Sequence, residues 1–206
     1  MLILLGYAHQ PAQAVPLSGL LGGAITCGDK RFDEFAYVLS GDADIPATGV
    51  NVRCITDAGG NHGLEFAAPW HDDGGGVASD YLLEYTVAVT SPNRRIIDAH
   101  VTGNPDSVGD DAAVIVTEAF DEIQGHLTIF HNAAGSQTSD TIQFPGQFEL
   151  HVTKDILLDG GTNGIAALSH IDQTFSQTPE PATWLLLAAG LGGLLGRSRW
   201  HRRGAS

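Results

Sequence analysis

The feature that most constrains this chain is a repeat of two. The stretch "YLLEYTVAV" sets Tyr81, Leu83, Tyr85, Val87 and Val89 on one side of an extended backbone and Leu82, Glu84, Thr86 and Ala88 on the other. "QFELHVTKDI" does the same: Phe148, Leu150, Val152 and Ile156 alternate with Gln147, Glu149, His151, Thr153 and Asp155, and Lys154 alone interrupts the apolar side. Successive side chains of a strand point to opposite faces, so this spacing predicts half-buried strands. Similar runs occupy 34–40, 49–56, 63–68, 95–101, 112–120, 126–131 and 164–175. Turn-forming clusters such as "DAGGNHG", "HDDGGG", "TGNPDSVGDD" and "LDGGTNG" punctuate them. About nine short strands with no amphipathic helix predict an all-β fold, an antiparallel β-sandwich with a jelly-roll-like variant open.

A chain of 206 residues has room for one core and its signals. Charge divides it sharply. Residues 15–178 hold six basic and 23 acidic side chains, a net −17, whereas Arg197, Arg199, Arg202 and Arg203 crowd the last ten residues. A body this acidic lacks the basic footprint that nucleic acid requires and suits a solvated, exported protein. Cys27 and Cys54 are the two cysteines. In an oxidising compartment a disulfide between them is expected, closing a loop of roughly thirty residues for about 3 kcal/mol; two unpaired core thiols are the alternative.

Both ends read as addresses. "MLILLGYAHQPAQAVPL" places an apolar run before Pro11 and the small-x-small triplet Ala12–Gln13–Ala14, the end of a signal peptide over 1–14 with cleavage after Ala14. The run is short and no Lys or Arg precedes it, which leaves open an upstream start or an apolar lead into the first strand. At the other end, Pro181 to Gly196 carry no charge. Sixteen helical residues span about 24 Å against a hydrocarbon core of about 30 Å. A single C-terminal transmembrane helix over 182–196 is therefore expected, with Trp184 and Trp200 near the interfaces and the basic tail 197–203 on the cytoplasmic side. Gly190 and Gly193 weaken the helix and let another helix approach closely. Pro179 and Pro181 hold Glu180 extended in water, as a processing enzyme requires and a plain anchor does not.

Pro179–Glu180–Pro181, a short Leu/Ala/Gly helix and an arginine cluster, in that order, resemble the PEP-CTERM sorting signal of Gram-negative bacteria. The resemblance covers residues 177–206 and implies recognition by an exosortase, a membrane sorting enzyme. It also implies export, anchoring in the inner membrane before processing, and delivery to the cell surface or beyond in bacteria that make exopolysaccharide. "CGDKRFDEFAYV", "YTVAVTSPNRRIIDAHVTGNP" and "LHVTKDILLDGG" are similar to stretches of exported PEP-CTERM proteins of uncharacterised activity, implying one domain within 15–176.

For the body, residues alone leave three readings. One is a non-catalytic exported sandwich associated with the polysaccharide matrix. The second is a carbohydrate- or calcium-binding module around "PWHDDGGGVASD", where Asp72, Asp73 and Asp80 are candidate calcium ligands and Trp70 and Tyr81 a candidate stacking face; a solvated loop and a core Trp70 are the plainer readings. The third is a hydrolase using carboxylates. No nucleophile elbow, phosphate loop, dinucleotide fingerprint or His-x-x-x-His motif occurs, so no enzyme and no cofactor is predicted.

Overall fold

The computed structural model describes residues 13–178. They fold into two facing seven-stranded sheets in which every ladder between strands is antiparallel. The first sheet runs β1 (Val15–Pro16), β4 (Asn51–Thr56), β5 (His62–Asp72), β14 (Ile165–Gln177), β7 (Ile96–Gly103), β12 (Ser139–Gln147), with β8 (Asp106–Val108) also on β14. The second runs β11 (Gly135–Gln137), β10 (His126–Asn132), β9 (Ala113–Phe120), β13 (Glu149–Asp159), β6 (Ser79–Val89), β3 (Lys30–Gly41), β2 (Ala24–Cys27). A three-residue 3₁₀ turn at Leu17–Gly19 is the sole helical element among the described residues. The β-sandwich expected from the alternation is what forms.

Each of the nine expected runs overlaps a strand. Five further strands, β1, β2, β8, β11 and β12, escaped the alternation. Four of them have two to four residues, too few to show a period. The fifth, β12, contains Pro145 and Gly146 and carries a register shift between Gln143 and Gln147, which fits its place at a sheet edge.

The inner faces follow the period. Tyr81, Leu83, Tyr85 and Val87 of β6 and Leu150, Val152, Ile156 and Leu158 of β13 are fully buried. Phe66 and Phe32 pack on Tyr85 at ring-centroid distances of 5.6 and 6.0 Å. Phe148 departs from the expectation: it precedes β13, is half exposed, and carries the Arg95 guanidinium over its ring.

One irregularity positions everything that follows. On β14 Ala166 and Leu168 point inward, but past the register shift between Leu168 and His170 the inward residues are Ile171, Gln173 and Phe175. Asn104 holds this bulge, its Oδ1 accepting from the Ser169 and His170 N–H groups at 3.2 and 3.1 Å. The extra residue switches the parity of the strand. Asp172 consequently faces out and Gln173 faces in.

Candidate functional site

Register assembles a polar row on the outer face of the first sheet. Arg53 of β4 lies opposite Glu65 of β5, Glu65 opposite Asp172 of β14, and Asp172 opposite Thr102 of β7. The next row on that face is Ile55, Gly63, Thr174 and His100. Opposed side chains in adjacent strands stand about 5 Å apart, so each row is continuous. With Thr56 and Asp57, and leaving out Gly63, these residues line a groove of about 330 Å³. The row dips at residue 63, where a Cβ would strike the Gln173 carbonyl oxygen and only glycine fits.

The groups in this groove are unequally engaged. Arg53 Nη2 donates to Glu65 Oε2 at 2.5 Å, leaving further guanidinium N–H groups on a half-exposed side chain. Burial, then the charge of Glu65, pushes the Asp172 carboxyl above its ordinary range, with His170 and Arg53 pulling partly back. Asp172 Oδ1 is buried and has no partner. Asp57 is different: burial alone would raise it, but hydrogen bonds from Asn61, Thr174 and Gly59 hold it low. It pins the β4–β5 turn. His100 bridges Asp98 and Thr141 at 3.1 and 2.9 Å.

Chemically, the row can donate from Arg53 and Thr102 and accept at Glu65 and Asp172.

The loop that the sequence singled out is built otherwise. Asp72 is buried, and Oδ1 accepts from the Gly74 and Gly160 N–H groups at 2.9 Å each while Oδ2 accepts from the Ser79 N–H and hydroxyl at 3.1 and 2.8 Å. Burial would raise its pKa, but these bonds, led by Gly160, leave it lowered. Asp72 ties the β5–β6 turn to the β13–β14 turn. Asp73 lines a shallow depression with Asp42 and Asp44. Asp80 turns elsewhere: its Oδ2 accepts from the Ser40 hydroxyl at 2.9 Å, and it lies beside Asp155, whose carboxyl is raised by burial and then by Asp80. Among the described residues no group of three or more His, Cys, Asp or Glu side chains is placed to hold a metal ion.

Trp70 and Tyr81 form no stacking face. Both are buried, Trp70 Nε1 donates to Tyr37 Oη at 3.2 Å, and their rings meet edge-on at 6.5 Å. The plainer reading, Trp70 as core, is the one realised. A depression of about 370 Å³ borders Trp70 at the β14 bulge, but the Asn104 amide within it is already engaged with Ser169 and His170. Cys27 and Cys54 are disulfide-bonded with Cα atoms 5.3 Å apart, joining β2 of one sheet to β4 of the other.

Among known proteins, a family model described as the PEP-CTERM protein-sorting motif matches residues 177–203. The chain carries a PEP-CTERM sorting motif. The match takes in Pro179, Glu180, Pro181, Trp184, Gly190, Gly193 and the four arginines from Arg197 to Arg203, all of which lie outside the described residues. So do the expected membrane helix over 182–196 and most of the expected signal peptide. Among the described residues no helix is long and apolar enough to cross a membrane. The PEP-CTERM motif supports export and sorting by an exosortase.

No curated protein matches in sequence. Similar solved structures include TmCBM61 in complex with beta-1,4-galactotriose, at 10% identity and TM-score 0.31, covering 68% of this chain and 88% of that one. The xylan-binding module CBM15 follows at 13% identity and TM-score 0.28, covering 70% and 98%. Trichoderma harzianum endoglucanase 3 from family GH12 stands at 8% identity and TM-score 0.26, covering 69% and 98%. At such scores these likenesses carry no argument about what the PEP-CTERM protein binds or does.

Proposed function

We propose that this PEP-CTERM protein acts outside the cytoplasm by binding rather than by catalysis. Residues 1–14 direct export and residues 15–176 form the working domain. The tail 177–206 presents Pro179–Glu180–Pro181, crosses the membrane over 182–196 and is processed by exosortase. The released or displayed sandwich associates with the extracellular polysaccharide matrix through the groove on its first sheet.

The observation that carries this reading is the row Arg53–Glu65–Asp172–Thr102, with Asp172 Oδ1 unpartnered at its centre. Carboxylates that accept beside a guanidinium that donates suit the hydroxyls of a sugar, each of which does both. The net charge of the body, −17, opposes a polyanion, so the ligand class is a neutral polysaccharide.

Calorimetric titration of the full chain with a panel of neutral polysaccharides tests this. Binding is expected for the wild type. Asp172→Ala and Arg53→Ala are each expected to weaken it about tenfold or more, the size of one hydrogen bond to a charged group. Absence of heat across the panel, or binding that ignores both substitutions, overturns the assignment of the groove.

A further inference from the structure

The space between the sheets is largely apolar, yet three polar side chains meet deep within it. Lys154 on β13, Glu118 on β9 and Gln173 on β14 are all fully buried there. Lys154 and Glu118 face each other across one ladder, while Gln173 reaches in from the opposite sheet. Lys154 Nζ donates to Glu118 Oε2 and, at 2.6 Å, to Gln173 Oε1. Three neighbouring polar atoms have no partner: Glu118 Oε1, Gln173 Nε2 and the Tyr85 hydroxyl. A buried ion pair contributes to stability only when its remaining lone pairs and protons are satisfied, and here they are not.

We propose that Lys154 and Gln173 become joined by an intramolecular amide bond between Nζ and Cδ, with Glu118 carrying the proton between the two nitrogens. The hydrogen bond to Oε1 at 2.6 Å, plus a C=O bond of about 1.23 Å, places Nζ within about 3.8 Å of the Gln173 carbonyl carbon, near attack distance. The Nζ lone pair forms the new C–N bond, and the Cδ–Nε2 bond breaks. The proton lost by Nζ passes through the Glu118 carboxyl to the departing nitrogen, which leaves as ammonia. Glu118 ends as it began, and no oxidant, cofactor or second substrate is consumed.

The step needs a neutral amine and a protonated acid. Burial favours both, pushing the Lys154 amine down and the Glu118 carboxyl up against the attraction between them. Water is excluded, so hydrolysis does not compete. The product removes the orphaned Nε2 and the buried basic amine together. It also ties β13 to β14 across the core, a second covalent link between sheets already joined by Cys27 and Cys54.

The test is mass spectrometry of the full chain, denatured and reduced. The intact mass is expected to fall short of the sequence mass by one ammonia. No Lys or Arg lies between Arg95 and Lys154 or between Lys154 and Arg197, so trypsin acting on a free Lys154 separates 96–154 from the peptide beginning at 155. A bonded Lys154 resists cleavage, and fragmentation of the fused peptide is expected to locate the link at Lys154 and Gln173. Complete cleavage at Lys154 overturns the proposal, as does loss of one water with Lys154 bonded to Glu118. In Glu118→Gln the ammonia is expected to be retained; a persistent link there removes Glu118 from the step. Should that variant fail to fold, the wild-type peptide map still decides.

Discussion

At Asp72, four hydrogen bonds converge on one buried carboxylate. The pH dependence follows from their direction. Its folded pKa lies below the unfolded value, so its contribution is complete above about pH 4 and is lost as pH falls through the folded value. Asp72→Asn is expected to lower unfolding free energy by about 2 kcal/mol at neutral pH, the usual scale for bonds to a charged group, and to flatten the acid limb of the stability curve. Urea melts from pH 3 to pH 7 check it; an unchanged acid limb in the variant would show that Asp72 does not hold the two turns. Asp172 behaves oppositely. Its raised carboxyl favours the protonated form in the fold, so this site opposes stability once pH exceeds the unfolded value.

Among the elements, the sandwich is closed at one edge by covalent chemistry. Cys27 sits on four-residue β2 and Cys54 on six-residue β4, so the bond links short strands of opposite sheets. Replacing both cysteines by serine is expected to cost about 3 kcal/mol of unfolding free energy, the scale of closing a loop of this length. Chemical denaturation of the oxidised and doubly substituted proteins measures the difference; equal midpoints would mean that the bond constrains nothing the fold does not already hold. The other decisive element is β14. Its alternation was legible over 164–175, but the bulge at Ser169 and His170 was not, because it depends on Asn104, some 65 residues away in the chain. That bulge sends Asp172 to the groove and Gln173 to the core.

On the scale of the molecule, a strongly acidic sandwich is joined to an arginine-ended tail within a few residues of Gln177, the last residue of β14. The tail carries the sorting motif, and under the proposed function the sheets present the binding surface. Glu180→Ala is expected to leave the protein exported yet unprocessed in a host with the sorting enzyme, retaining the tail mass on a gel. Wild-type mobility in that variant would remove Glu180 from the processing step.

Sequence by itself determined nine of the fourteen strands and the sorting tail. Both are local: the period of two is a property of the extended backbone, and the tail motif is contiguous from Pro179 to Arg203. It also marked Lys154 as the residue that breaks an apolar face, without showing what answers it. Only the tertiary structure decided that Glu118 and Gln173 surround Lys154, that Asp72 braces two turns, and that Arg53, Glu65, Asp172 and Thr102 share one row. Those neighbours come from strands far apart in the chain. Strand pairing is set by register and by packing across the core, neither of which is written in any one segment.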